Sequence, residues 1–341
     1  MNKKILSVVN EAQESRRFSG TTLIKQAGKA PVISSRGYAN RAEQLPNKPG
    51  TRYGIASGCK LFTAIAICQL VEEGKIAFDT KLSECIEYEL PNFSENITIH
   101  HLLTHTSGVP DYFDEEVMDD FEDLWRNTPM YTIRHVKDFL PFFENDQMKF
   151  TPGKQFHYNN TGYILLGLIV EKVSGLQFID YIEENIFKKA NMVNSGYFAF
   201  DSLPPKTAQG YIDFVDGTWK TNIYSLPVRG GSDGGAYITV EDMVLLWEAL
   251  LKHKLLSEPY TKKLLTPHVN HKDKKFYGYG VWINQTEGTI SKYHIMGYDP
   301  GVSFHSAYYP SSQTILVVCS NASKGAFNIM EEVEKYLNGR S

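Results

Sequence analysis

Between Lys60 and Gly74 the chain reads Lys-Leu-Phe-Thr-Ala-Ile-Ala-Ile-Cys-Gln-Leu-Val-Glu-Glu-Gly, apolar on nearly every face, free of proline and ended by a glycine suited to a left-handed cap. Such a run requires a helix buried on all sides, and the rest of the chain must supply its cover. Just before it, Tyr53-Gly54-Ile55-Ala56 reads as a short extended segment that gives way to the helix at Ser57. Ser57 and Lys60 are three apart, so a helix puts them about 60° from each other around its axis and within side-chain reach. A lysine opening so apolar a helix is hard to solvate and calls for a partner or a task. The unpaired N–H groups and positive dipole end of a first turn favour a developing alkoxide, which suits a serine nucleophile with a lysine as proton partner.

With 341 residues, 42% of them hydrophobic, the chain is large enough for one big domain or two lobes. A formal charge of −4 gives no pull toward nucleic acid or anionic membranes, so a small-molecule ester, amide or peptide substrate is expected. Two N-terminal lysines precede only a five-residue apolar stretch, too short for a signal peptide, and no run approaches a membrane span. The expectation is a cytoplasmic protein without membrane contact. Cys59, Cys68, Cys85 and Cys319 have neither metal nor disulfide spacing. His101 and His105 are four apart on a short helix capped by Thr98, but no third ligand follows at a suitable spacing, so neither a metal nor another cofactor is expected.

Residues 1–17 can form a helix, and 19–26 and 31–38 read as a hairpin. Residues 111–150 resemble a cover more than a sheet. A Pro-Gly turn at 152–153 leads through Tyr158-Asn159-Asn160 into a second apolar helix over 163–174, stopped by Gly175. Tyr-x-Asn also occurs at Tyr38 and Tyr336, but only at Tyr158 does it fall on a loop before a buried helix, where function tends to sit. Gly230-Gly231-Ser232-Asp233-Gly234 satisfies Gly-x-Ser-x-Gly, yet the next helix starts only at Thr239, so a flexible glycine loop is expected there instead of a nucleophile elbow. Residues 277–285, 289–295, 302–309 and 314–320 read as strands and 325–337 as a helix. Together with the N-terminal hairpin they suggest an α+β fold in which one antiparallel sheet is assembled from both chain ends around a mostly helical middle.

Several pieces point one way: Ser57-Gly58-Cys59-Lys60; Leu-Leu-Thr-His-Thr-Ser-Gly-Val-Pro within 97–110; Tyr-Asn-Asn-Thr-Gly-Tyr-Ile-Leu-Leu-Gly within 156–167; Gly-Gly-Ala-Tyr-Ile-Thr-Val-Glu-Asp-Met at 234–243; and Gly-Tyr-Asp-Pro-Gly-Val-Ser-Phe at 297–304. In order and spacing, from about residue 17 to 320, the chain resembles the serine β-lactamase-related family: class C β-lactamases, low-molecular-weight penicillin-binding proteins, D-aminopeptidases and family VIII esterases. The resemblance implies a β-lactamase/transpeptidase-like fold as a single domain, with an α/β subdomain from 1–79 and 270–341, a helical subdomain from 80–269, and the site in the cleft between them. It makes Ser57 the acylated nucleophile, Lys60 its proton partner, Tyr158 a general base and acid with Lys60, and Asn160 a residue that binds substrate and orients Lys60. The Ser57 N–H would form half the oxyanion hole and the Tyr298 N–H the other half.

The chain departs from the family at the third motif, a basic residue, a small residue and Gly on the strand edging the cleft. Gly297 takes the glycine position and Ile295 the basic one, whereas His294 is one residue off and should point to the opposite face unless a bulge re-aims it. The functional expectation is therefore a serine hydrolase, esterase ahead of peptidase, with a D-alanyl-D-alanine carboxypeptidase or β-lactamase as the alternative. A non-catalytic relative that keeps the cleft for binding is the second alternative.

Overall fold

The computed structural model describes residues 2–118 and 120–339, and among these an eight-stranded antiparallel sheet is the central layer. Its strands are β1 (Gly20–Gln26), β2 (Val32–Arg36), β3 (Val269–Lys272), β4 (Lys275–Tyr277), β5 (Trp282–Thr286), β6 (Thr289–Asp299), β7 (Val302–Tyr309) and β8 (Thr314–Ser320). They lie in the order β2-β1-β8-β7-β6-β5-β4-β3, so the N-terminal hairpin joins the sheet through β8, with Leu23 opposite Val317. Two lengths differ from the sequence reading. The 277–285 run is broken at Gly278-Tyr279-Gly280, where Gly280 has φ +69 and packs against the Lys60 carbonyl so closely that a Cβ would lie 2.7 Å from it. β6 continues through Gly297 to Asp299, and the polar strand β3 adds the eighth member.

Period-2 alternation divides the sheet residues between two cores. Ile24, Leu316 and Val318 pack with Ile5, Val9 and Ala12 of helix α1 (Asn2–Ser15) and with Ile329, Met330 and Val333 of the C-terminal helix (Ala326–Leu337). Leu23, Ile295, Phe304, Ile315 and Val317 belong to the larger core, which also contains helix α2 (Lys60–Glu72). Every residue of α2 from Lys60 to Val71 is buried, as its all-round apolarity demands. Each of Leu61, Phe62, Ile65, Ile67 and Leu70 contributes about 1.5–3 kcal/mol by leaving water. The cover comes from helix α3 (Asn160–Ser174), which ends at Gly175 with φ +74, and from helix α4 (Val240–Leu251), with Thr239 as N-cap. The sequence reading groups α4 with the helical middle. Instead α4 lies against the sheet, where the Trp247 indole donates to Ser306 of β7 at 2.9 Å, so the 80–269 boundary does not follow the packing. Among the described residues no single helix is long and apolar enough to cross a membrane.

Candidate active site

Ser57 lies in a 3₁₀ turn, Ala56–Cys59, that runs directly into α2. The turn is held from two sides. The short strand Tyr53–Gly54 pairs with Tyr237–Ile238, and the Ile55 N–H donates to the Ala236 carbonyl at 3.0 Å. On the other side, β6 presses so close that a Cβ on Gly297 would stand 2.0 Å from the Ile55 carbonyl and 2.9 Å from the Ser57 nitrogen. Ala56 meanwhile has φ +45, a conformation that costs a non-glycine residue about 1–3 kcal/mol and that the packed surroundings must sustain. Sequence supplies the glycine; the fold uses it to bring strand backbone against the Ser57 N–H.

The Lys60 side chain is buried, and its Nζ sits 2.9 Å from Ser57 Oγ, 2.8 Å from Asn160 Oδ1 and 2.8 Å from the Asp233 carbonyl. The last two partners only accept, so they take two N–H bonds and leave the third valence facing Ser57 Oγ. Asn160 opens α3, and its Nδ2 donates to the Phe113 carbonyl at 3.0 Å and to Asp111 at 3.4 Å. Both ends of its amide are thus engaged inside the protein, which favours the lysine-orienting half of its expected role over substrate contact.

Tyr158 reaches the same point from its loop. The Lys60 Nζ lies 5.0 Å from its ring centroid, and its hydroxyl is directed toward the Ser57 side chain. Burial pushes this hydroxyl well above the ordinary tyrosine range, with Glu115 adding to the effect and Ser57 opposing it, so the group is a neutral phenol at pH 7. Its ring is packed between His105, 4.4 Å away between centroids, and Trp282, stacked at 6.2 Å. His105 does not join His101 as a ligand pair. It accepts the Asn159 N–H at Nδ1, holding the Tyr158 loop, whereas His101 closes the cap at Thr98.

His294 stands apart from this cluster, since its side chain leaves β6 on the face opposite Ile295 and Gly297. There it lies 3.1 Å from Asn284 Oδ1 and stacks on the His305 ring at 5.3 Å. Burial and the neighbouring His305 hold it well below the ordinary histidine range, so it offers no cation. Ile295, on the cleft-side face, is buried in the large core. Ser232, in the glycine loop, is fully buried with its hydroxyl unpartnered, and no base lies against it.

Residues 6–335 match the family described as Beta-lactamase. The chain belongs to the beta-lactamase family. It is accordingly a serine hydrolase. The solved penicillin binding protein of Bacillus halodurans is 63% identical, with a TM-score of 0.93 over 96% of this chain and 99% of that one. The octameric penicillin-binding protein homologue of Pyrococcus abyssi is 28% identical, with a TM-score of 0.86 over 99% of this chain and 78% of that one. The D-amino acid amidase of Ochrobactrum anthropi SV3 covers both chains completely with a TM-score of 0.82 at 20% identity, a likeness of fold alone.

What no sequence motif marks in this member of the beta-lactamase family is a set of carboxylates. Asp111 accepts the Asn160 and Thr161 N–H groups at 3.0 Å, capping α3, and burial pushes its carboxyl up to about 7 against those bonds. Asp233 accepts from the buried Tyr112 hydroxyl, and burial raises its carboxyl while Lys60 opposes the rise. Glu115 and Asp299 complete the set, both raised chiefly by burial. No local pattern marks these residues; one signal available in the sequence is that Asp111 and Asp233 each sit on a turn next to a glycine or proline.

The close approach at Gly297 yields a direct expectation. Gly297→Ala forces a methyl against the backbone of Ile55, separating the Ser57 and Tyr298 nitrogens. With these two N–H groups as the expected oxyanion donors, loss of one is worth about 10²–10³ in turnover, so a drop of that order in the rate of labelling by a fluorophosphonate is expected, together with a lower melting temperature. Unchanged labelling would show that this approach has no bearing on the site.

Proposed function

We propose that this serine hydrolase works through an acyl-enzyme at Ser57 and acts on a small ester or amide, with uncharged esters ahead of substrates that carry a carboxylate. Lys60, with two N–H groups committed to Asn160 and Asp233, receives the Ser57 proton as Oγ attacks the carbonyl carbon. The Ser57 N–H, with that of Tyr298, stabilises the resulting oxyanion. The proton then passes through Tyr158, a neutral phenol able to donate, to the leaving group, and water reverses the sequence to release the acid. The observation that carries this reading is the three-way contact of Lys60 with Ser57, Asn160 and Asp233. The division into an α/β and a helical part flanking the cleft fits the same reading, with α4 counted among the sheet-covering helices.

The preference against carboxylates rests on the lining of the cleft. A cavity of about 410 Å³ opens beside Ser57 and is lined by Glu115, Asp120, Asp233 and Asp299 but, among the described residues, by no lysine, arginine or histidine. A desolvated carboxylate would meet no partner there. Turnover of p-nitrophenyl butyrate is therefore expected to exceed that of a penicillin by about 10- to 100-fold in kcat/KM, the worth of a missing charge-assisted contact. Equal turnover would overturn the preference. A second reading, penicillin binding, has specific support in the 63% identical relative described by that name. It predicts a stable adduct of the penicillin's mass on Ser57.

A further inference from the structure

One group of ligand-type side chains stands outside the catalytic cluster. His157, on the turn that carries Tyr158, places its Nε2 3.6 Å from Asp114 Oδ1 and 3.5 Å from Glu116 Oε2, and the three donor atoms all lie within 4.8 Å of one another. Asp114 and most of the His157 side chain are buried, whereas Glu116 is exposed. Nothing in the spacing marks this group, because the histidine is far along the chain from the two carboxylates.

The surrounding contacts limit what can occupy it. His157 Nδ1 lies 3.0 Å from the Tyr158 carbonyl, an atom that only accepts, so Nδ1 carries a hydrogen and donates it there. Among the described residues no hydrogen bond ends on Nε2, which faces the two carboxylate oxygens. A positive charge must sit between them, either a proton on Nε2 or a metal ion. A proton would draw the atoms in to the roughly 2.7–2.9 Å of a charge-assisted hydrogen bond, and the distances are longer than that. They lie close to the edge of a coordination tetrahedron, roughly 3.3–3.4 Å for bonds of about 2.0–2.1 Å. The outer contacts agree: a ligating histidine gives its other N–H to a carbonyl, and a ligating carboxylate is itself held, as Asp114 Oδ2 is by the Lys149 ammonium.

We infer that Asp114, Glu116 and His157 bind a divalent transition-metal ion, with zinc the best fit to one imidazole and two carboxylates and a water in the fourth position. Magnesium and calcium take oxygen ligands, and the imidazole excludes them here. The role of the ion follows from its place. The segment that supplies Asp114 and Glu116 also supplies Asp111 and the Phe113 carbonyl, both hydrogen-bonded to Asn160, and the ligand His157 is joined to the Tyr158 backbone. The ion clamps these two pieces of chain together from outside, without touching Ser57 or Lys60, and the inference does not depend on the acyl-enzyme reading.

The test is titration of the protein, first stripped by a chelator, with zinc chloride followed by calorimetry and with cobalt chloride followed by visible absorption. One equivalent of zinc is expected to bind in the micromolar range or tighter, cobalt to give the strong visible bands of a four-coordinate ion, and saturating zinc to raise the melting temperature. Glu116→Gln, at an exposed position, should keep the fold and weaken zinc binding by about 10-fold or more, and His157→Gln should do so by at least as much. The rise in melting temperature should disappear in both. No binding at micromolar zinc overturns the inference and makes the group an ion pair only, and so does binding that is undiminished in folded Glu116→Gln or spread over several weak equivalents on surface histidines. Should His157→Gln fail to fold, Glu116→Gln decides.

Discussion

Ser57→Ala is expected to lower hydrolysis of an activated aryl ester by about 10⁴-fold or more, leaving the residual rate that binding and oxyanion contacts provide on their own. The size follows from the site's construction. Lys60, held by Asn160 and the Asp233 carbonyl, is aimed at the Ser57 oxygen, and removing that oxygen leaves the lysine with nothing to activate. Stability should change little, because Lys60 keeps Asn160 Oδ1 and the Asp233 carbonyl, and one lost hydrogen bond is worth about 1 kcal/mol. A variant that retains activity with an unchanged melting temperature would remove Ser57 from the mechanism and reopen the reading of the cleft as a binding module.

Tyr158→Phe carries the second largest expected effect, a fall in kcat of about 10²–10⁴, the usual contribution of a positioned proton donor. The ring contacts with His105 and Trp282 survive the substitution, so the melting temperature should stay close to that of the wild type. On the proposed route Lys60 and Tyr158 exchange the same proton, so the rising limb of the pH profile belongs to the pair and should change shape when the hydroxyl is removed. Full activity in the variant, or a loss matched by unfolding, would make Tyr158 a structural residue.

The parts of this site that the sequence exposes are those built within one local element. Ser57 and Lys60 sit one helical turn apart at the head of an all-apolar helix, and Tyr158 and Asn160 sit two apart at the entrance to another. Their spacing alone brings each pair together, and helix packing then brings the pairs to each other. Gly297 is visible as part of a motif, but its reason, a strand lying 2.0 Å too close for any Cβ, appears only when β6 is laid against the Ile55 carbonyl. The same glycine made β6 look shorter than it is, since glycine in a strand reads as a break until a close approach explains it.

Asp111, Glu115, Asp233 and Asp299 were not legible, because they come from four loop or strand-end positions and share no periodicity. What unites them is a fold that leaves them around one lysine, and a carboxylate is informative only when its neighbours are known. β3 was hidden for the opposite reason: Val-Asn-His-Lys is a mostly exposed edge strand whose composition resembles a loop. Alternation along β6 sends His294 to the face opposite Gly297, against Asn284 and His305 and away from Ser57, and the bulge between β5 and β6 at Asn284 and Gln285 does not turn it back.

The central claim, a covalent acyl-enzyme at Ser57, is tested most directly by intact-mass and peptide-mass measurement after incubation with a fluorophosphonate. One equivalent of adduct on the peptide containing Ser57, and none in Ser57→Ala, is the predicted result. No adduct on the folded protein, or an adduct carried by Ser107 or Ser232, would contradict it.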